Sequence, residues 1–178
     1  MSGHSKWSTI NHKIELTDAK KSKIFSKLVR FISVEAKLAG GKDSPGLRAA
    51  IEKAKKVNMP AENIERAIKK ANESSANMEK ITYEAYGPGG IGIIIETLTD
   101  NKNRTAQDIK FILSKNNLAL GGIGSVAWAF KKEISPEGLI WTPTTTMPIS
   151  ETDLEPFEKL INELEEHDDI QEVFTNAE

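Results

Sequence analysis

Three histidines are the chain's only side chains suited to proton transfer near neutral pH, and their surroundings offer them little. His4 and His12 lie in a polar N-terminal stretch with no carboxylate at metal-ligand spacing, and His167 follows an acidic run. A closed zinc site wants four ligands drawn from His, Cys and carboxylate. The absence of cysteine removes thiolate metal sites, iron–sulfur clusters, thiol nucleophiles and disulfides together. No Gly-x-Ser-x-Gly elbow presents a serine nucleophile. The sequence therefore predicts no catalytic residue, no metal and no cofactor, and reads as that of a non-enzymatic protein.

Two glycine-rich segments invite a phosphate-binding reading. Gly121-Gly122-Ile123-Gly124-Ser125 resembles a phosphate loop, but such a loop needs a helix N-terminus behind it. The residues after it, 125 to 130, read as a strand, so a tight turn with positive φ is the simpler expectation. Gly87-Pro88-Gly89-Gly90 reads likewise as the turn of a hairpin, with exposed backbone that could serve a surface contact. An acidic helix at 151 to 166 could hold cations or mimic nucleic acid, but a merely solvated face is the favoured reading, since such charge patterns are weak signals.

The strongest chemical signal is cationic. Lys6, Lys13, Lys20, Lys21, Lys23, Lys27, Arg30 and Lys37 fall in one arm and one helix, with Trp7 beside them for stacking. Cationic grooves with an aromatic platform suit phosphate neutralisation and base stacking. The formal charge of -2 hides a segregation along the chain. Residues 1 to 80 carry 17 Lys and Arg against 9 Asp and Glu, a balance of +8, whereas residues 81 to 178 carry 7 against 17, a balance of -10. Such asymmetry points to a polyanionic partner for the basic part.

The elements that must position these residues follow from periodicity. Thr17 or Asp18 can cap a helix that runs to Ala39 and stops at Gly40-Gly41. At about 100° per residue, Ile24, Phe25, Leu28, Ile32, Ala36 and Ala39 share one side, and Lys23, Lys27, Arg30 and Lys37 lie opposite. Ser44-Pro45 and Asn58-Met59-Pro60 open two further helices, so residues 17 to 72 predict a three-helix bundle. The polar stretch 72 to 77 reads as a linker.

Beyond the linker, strands at 81 to 86 and 91 to 98 precede a helix capped by Asn103 or Thr105. A strand at 125 to 130, an extended edge segment at 140 to 149, the acidic helix and a last strand at 170 to 175 complete an α+β order. The expected domains are 1–79, basic and helical with an N-terminal arm, and 80–178, α+β. No apolar run reaches the roughly 18 residues of a membrane span and no cleavable leader is evident, so a cytoplasmic location is expected.

Gly3-His4-Ser5-Lys6-Trp7, Asn58-Met59-Pro60 and Ile64-Glu65-Arg66-Ala67-Ile68-Lys69 resemble the YebC/PmpR family, which includes the mitochondrial translational activator of cytochrome c oxidase. The segments 83–90, 98–105 and 124–130 match the same family in the same order, and the resemblance continues to the end of the chain. It implies a helical bundle followed by a ferredoxin-like α+β sandwich, and nucleic-acid binding in gene regulation. Most family members carry an inserted third domain between the positions of Phe130 and Trp141; here a ten-residue connection, 131–140, stands in its place, so the chain resembles a compact member lacking that domain.

The reading that joins charge, pattern and resemblance is a nucleic-acid-binding regulator with no small-molecule substrate. His4, Ser5, Lys6, His12 and Lys13 would contact phosphates or base edges, Trp7 would stack, and Lys20, Lys21, Lys23, Lys27, Arg30 and Lys37 would supply charge. RNA, and the ribosome in particular, is the preferred partner, because no helix-turn-helix or zinc-finger pattern offers a rigid major-groove reader. Promoter DNA is the alternative polymer. An alternative of another class is a protein-interaction module acting through the acidic C-terminal part.

Overall fold

A computed structural model describes residues 18–74, 77–136 and 138–178. It divides into a helical unit, Thr17–Met78 with Glu133–Ile140, and a sheet unit built from Glu79–Lys132 and Trp141–Glu178.

The helical unit contains α1 (Asp18–Ala39), α2 (Pro45–Lys56) and α3 (Ala61–Glu73). Gly40 and Gly41, at φ +59° and +80°, end α1 as glycine does where a side chain would be strained. Ser44 caps α2 by accepting the Leu47 N–H at 3.1 Å, with Pro45 in the first turn. Pro60 sits at the cap of α3 itself, with Ala61 as the first helical residue. Leu28, Ile32, Ala36, Leu47, Ala50, Ala54, Met59, Ile64, Ala67 and Ala71 form the core between the three helices.

In the sheet unit, β1 (Glu79–Tyr86), β2 (Gly92–Thr99) and β5 (Ile170–Thr175) form an antiparallel sheet in the order β1-β2-β5. Tyr83 faces Ile95 and Ala85 faces Ile93 across the first ladder, and Ile95 faces Val173 across the second. A single bridge from Ala85 to Leu120 adds a short pairing beside β1. The helices α4 (Lys102–Lys115) and α5 (Glu151–Glu166) cover one face, where Ile109, Leu113, Phe157, Leu160, Ile161 and Leu164 join Ile93 and Ile95 in a fully buried core. Ile94, pointing the opposite way, packs with Val126, Ala129, Phe130, Trp141 and Phe174 on the other face. The chain is thus α+β, with a helical region followed by a sheet region.

Three sequence expectations need correction. The cap of α4 is Asn101, whose side chain accepts the Arg104 N–H at 3.1 Å, rather than Asn103 or Thr105. Thr105 is instead buried, donating its hydroxyl to Asp169 at 2.7 Å. Residues 125–129 are a turn and a single 3₁₀ turn (Ala127–Ala129), not a strand. A strand sends successive amides to opposite sides, whereas here the amides of Gly124, Val126 and Ala127 converge on one carboxylate. Finally, the connection at 131–140, to which the sequence reading assigns no element, contains strand. It belongs to a two-stranded hairpin, β3 (Phe130–Ser135) and β4 (Gly138–Pro143), which also absorbs the start of the expected 140–149 segment. Met147 continues that segment with one parallel bridge to Ala177.

Candidate nucleic-acid interface

His4, Ser5, Lys6, Trp7, His12 and Lys13 lie outside the described residues. Of the helical candidates, Lys20 and Lys21 are exposed, whereas Lys23, Lys27, Arg30 and Lys37 are half-buried. The cationic face of α1 is less open than a helical wheel implies, because Val34 and Glu35 near its C-terminal end are buried. Long cationic stems can lie along an apolar surface while their heads reach outward. Lys37 donates to the Ser74 carbonyl at 3.1 Å, which ties its ammonium to the residue following α3.

Further cations decorate the other two helices. Arg48, Lys55, Lys56, Arg66, Lys69 and Lys70 are exposed. Arg48 meets Asp43 at 3.4 Å, Lys55 meets Glu52 at 3.1 Å and Arg66 meets Glu62 at 2.9 Å. Exposed pairs of this kind hold their charges only weakly, so these cations can exchange a carboxylate for a phosphate at small cost. Lys53 is different: it sits over the Phe31 ring, 5.8 Å from its centre, and burial lowers its pKa to about 8. Periodicity alone does not reveal that burial, since Lys53 occupies an ordinary position in a Lys-rich helix.

The glycine-rich loop at 121–125 has already taken an anion, and the anion is internal. Glu84, buried in β1, accepts the N–H groups of Gly124 at 3.0 Å, Val126 at 2.8 Å and Ala127 at 3.2 Å. Burial alone would raise its carboxyl pKa, but the Val126, Gly124 and Ala127 amides and the Ser125 hydroxyl overcome it and hold the group below the usual value. A phosphate reaching this loop would compete with a covalently attached carboxylate. Gly92 of β2 lets the loop lie close, since a Cβ there would stand 2.7 Å from Val126 Cγ1. Nothing in the sequence pairs Glu84 with that loop; its position inside a strand marks it only as a polar residue in an apolar run.

His167 is likewise committed. Its Nδ1 accepts the Asp169 N–H at 3.1 Å, so Nε2 carries the proton and donates to Asp108 at 2.9 Å. Both ring nitrogens are thus engaged within the protein. Asp169, buried, accepts from Thr105 and from Arg104 at 3.0 Å. This network ties α4 to the start of β5. Among the described residues no group of three or more His, Asp or Glu could hold a metal ion, and no helix is long and apolar enough to cross a membrane.

A cationic three-helix unit joined in one chain to an acidic α+β unit is the class that fold and charge define. The chain belongs to the TACO1/YebC family. Residues 5–74 match the TACO1/YebC protein N-terminal domain, and residues 78–137 and 131–177 match the TACO1/YebC second and third domain. The two segments of the latter match meet at the β3–β4 hairpin. A probable transcriptional regulatory protein of Thermoanaerobacter pseudethanolicus is 39% identical over 239 aligned positions, covering 100% of this chain and 97% of the relative. Because this chain has 178 residues, at least 61 of those 239 positions have no counterpart in it. A second probable transcriptional regulatory protein, from Trichlorobacter lovleyi, is 52% identical over 137 residues, covering 75% of this chain and 56% of the relative. The crystal structure of a conserved hypothetical protein from Aquifex aeolicus superposes with a TM-score of 0.78 at 33% identity, covering 90% of this chain and 91% of the other.

Proposed function

We propose that this protein is a non-enzymatic, nucleic-acid-binding regulator of gene expression, acting as an RNA- and ribosome-binding translation factor in the cytoplasm. The observation that carries the reading is the +8 balance of residues 1 to 80, of which the three-helix stretch 18–73 carries 14 Lys and Arg against 7 Asp and Glu. Lys20, Lys21, Lys23, Lys27 and Arg30 of α1 meet phosphates, and the arm from Gly3 to Lys13 adds base contacts and stacking by Trp7. Lys37, turned to the Ser74 carbonyl, plays the smaller part.

The names of the relatives favour a second reading, in which promoter DNA is the polymer. Crosslinking in cells with sequencing of both recovered RNA and DNA separates the two: ribosomal RNA supports the translation reading, and promoter DNA supports the other. Binding measured over a range of salt then tests the site. The variant carrying Lys23→Glu, Lys27→Glu and Arg30→Glu should lose binding and reduce the salt slope by about three charges. Unchanged affinity would remove α1 from the interface. Salt-insensitive partner binding that survives deletion of residues 1–79 would replace both readings with a protein-interaction module.

A further inference from the structure

Besides Phe111 on α4, the large apolar side chains that the sheet unit exposes among the described residues lie in the glycine loop, the turn after it and the end of β1. Tyr86 at the end of β1, Ile123 in the glycine loop and Trp128 in the following 3₁₀ turn are 42%, 103% and 65% exposed. The Tyr86 hydroxyl and the Trp128 indole N–H donate to the same acceptor, the Ser125 carbonyl, the latter at 2.9 Å. Their polar edges are therefore satisfied inside the protein, and the two rings are anchored to one carbonyl. Ser125 is fixed in turn, since Glu84 gathers the amides on either side of it and Val126 is buried against the sheet. Two large aromatics that contribute little to the core, yet are hydrogen-bonded into a single arrangement, are preorganised for a ligand.

We infer that Tyr86 and Trp128 form a stacking platform for an unpaired nucleobase, a second nucleic-acid contact separate from the basic helix. This rests on the nucleic-acid reading above and specifies which form of the polymer the sheet unit takes. Charge favours a base over an apolar peptide. The sheet unit is acidic, yet residues 117–132 include no carboxylate and end in exposed Lys131 and Lys132. The carboxylate beneath them, Glu84, is turned inward onto the loop amides. Asp153, which approaches Gly89 of the neighbouring turn, accepts the Ser150 hydroxyl at 2.7 Å. Every base has a face that stacks on an aromatic ring, so the platform recognises single strands with little sequence preference and rejects a paired duplex.

The test uses the full chain and a short unstructured RNA oligonucleotide carrying one 2-aminopurine, whose fluorescence falls on stacking, with its DNA counterpart and a duplex as comparisons. Wild type should lower the emission of the single strands and leave that of the duplex, already low, unchanged; preference between the RNA and the DNA strand identifies which supplies the base. Trp128→Ala should lose the quenching and bind about tenfold more weakly, while Trp128→Phe, which keeps a ring but loses the indole N–H that anchors it, should fall between Trp128→Ala and wild type. Because Trp128 is exposed, both variants should retain the wild-type circular dichroism. Unchanged quenching and affinity in Trp128→Ala, with loss of binding in the Lys23, Lys27 and Arg30 variant, would overturn the platform while the nucleic-acid reading stands. Failure of wild type to bind any oligonucleotide would overturn both. Loss of a protein partner, with oligonucleotide binding intact, would assign the rings to a protein contact instead.

Discussion

The two units solve burial with cores of different grain. In the helical unit five of ten core residues are alanine, namely Ala36, Ala50, Ala54, Ala67 and Ala71. In the sheet unit only Ala85 and Ala177 are small among twelve, the rest being Ile, Leu and Phe. Small residues let helix backbones approach closely but remove little apolar area from water, and stability scales with that area. The helical unit thus has a slim interior beneath a highly charged exterior, whereas the sheet unit buries large side chains on both faces of β2. Apolar burial and surface charge are divided unequally between the two.

The largest effect that could break this comparison is Phe157→Ala. Phe157 is fully buried between α5 and the sheet, and its truncation should cost about 3–5 kcal/mol. Urea unfolding followed by tryptophan fluorescence, with Trp128 and Trp141 both in the sheet unit, should show the loss; an unmoved midpoint would mean that the large-residue core is not what stabilises that unit.

Next comes Glu84→Gln, which removes a charged acceptor from three amides and should destabilise by about 1–3 kcal/mol. Because the folded pKa lies below the unfolded one, the stabilisation is complete above the unfolded value and is lost as pH falls through the folded value. The gap between wild type and variant should be full at neutral pH and shrink below about pH 4. A gap independent of pH would show that the carboxylate's charge is not what holds the loop.

The smallest effect has the opposite sign. Lys53 keeps a charged amine in a place that disfavours it, with its pKa at about 8 against 10.5 unfolded. The cost is constant below pH 8 and relieved as pH rises from about 8 to 10.5. Lys53→Met should therefore stabilise the helical unit by about 1 kcal/mol at pH 7, measured by circular dichroism melts, and wild type should close the gap towards pH 10.5. A destabilised variant would instead show that the contact with Phe31 and the amine's other interactions outweigh the burial.

Periodicity carried the helices well. The boundaries of α1 and α2 follow from an apolar repeat ended by glycines and a Ser-Pro cap, which are local signals. The β1–β2 pair was equally readable from two apolar runs around Gly87–Gly90. The misread segments are those decided at long range. Val126 and Phe130 suggest a strand, yet a carboxylate 42 residues earlier pulls the intervening amides into a turn. Asn101 outcompetes Thr105 as the helix cap because Thr105 is claimed by Asp169, 64 residues away. Among the candidate interface residues, the count and sign of charges were plain in the sequence. That Lys37 turns to Ser74, and that Tyr86 and Trp128 share the Ser125 carbonyl, depends on contacts 37 and 39 residues apart for Lys37 and Tyr86.

The pairing of Glu84 with its loop has one more consequence. A concavity of converging amides ordinarily exchanges its anion with the solution, and its shape then follows the prevailing salt. Here the anion is tethered to the polypeptide, so its effective concentration is set by the chain rather than by the surrounding medium. The loop, and the two rings hydrogen-bonded to its Ser125 carbonyl, keep one geometry whether phosphate is scarce or abundant.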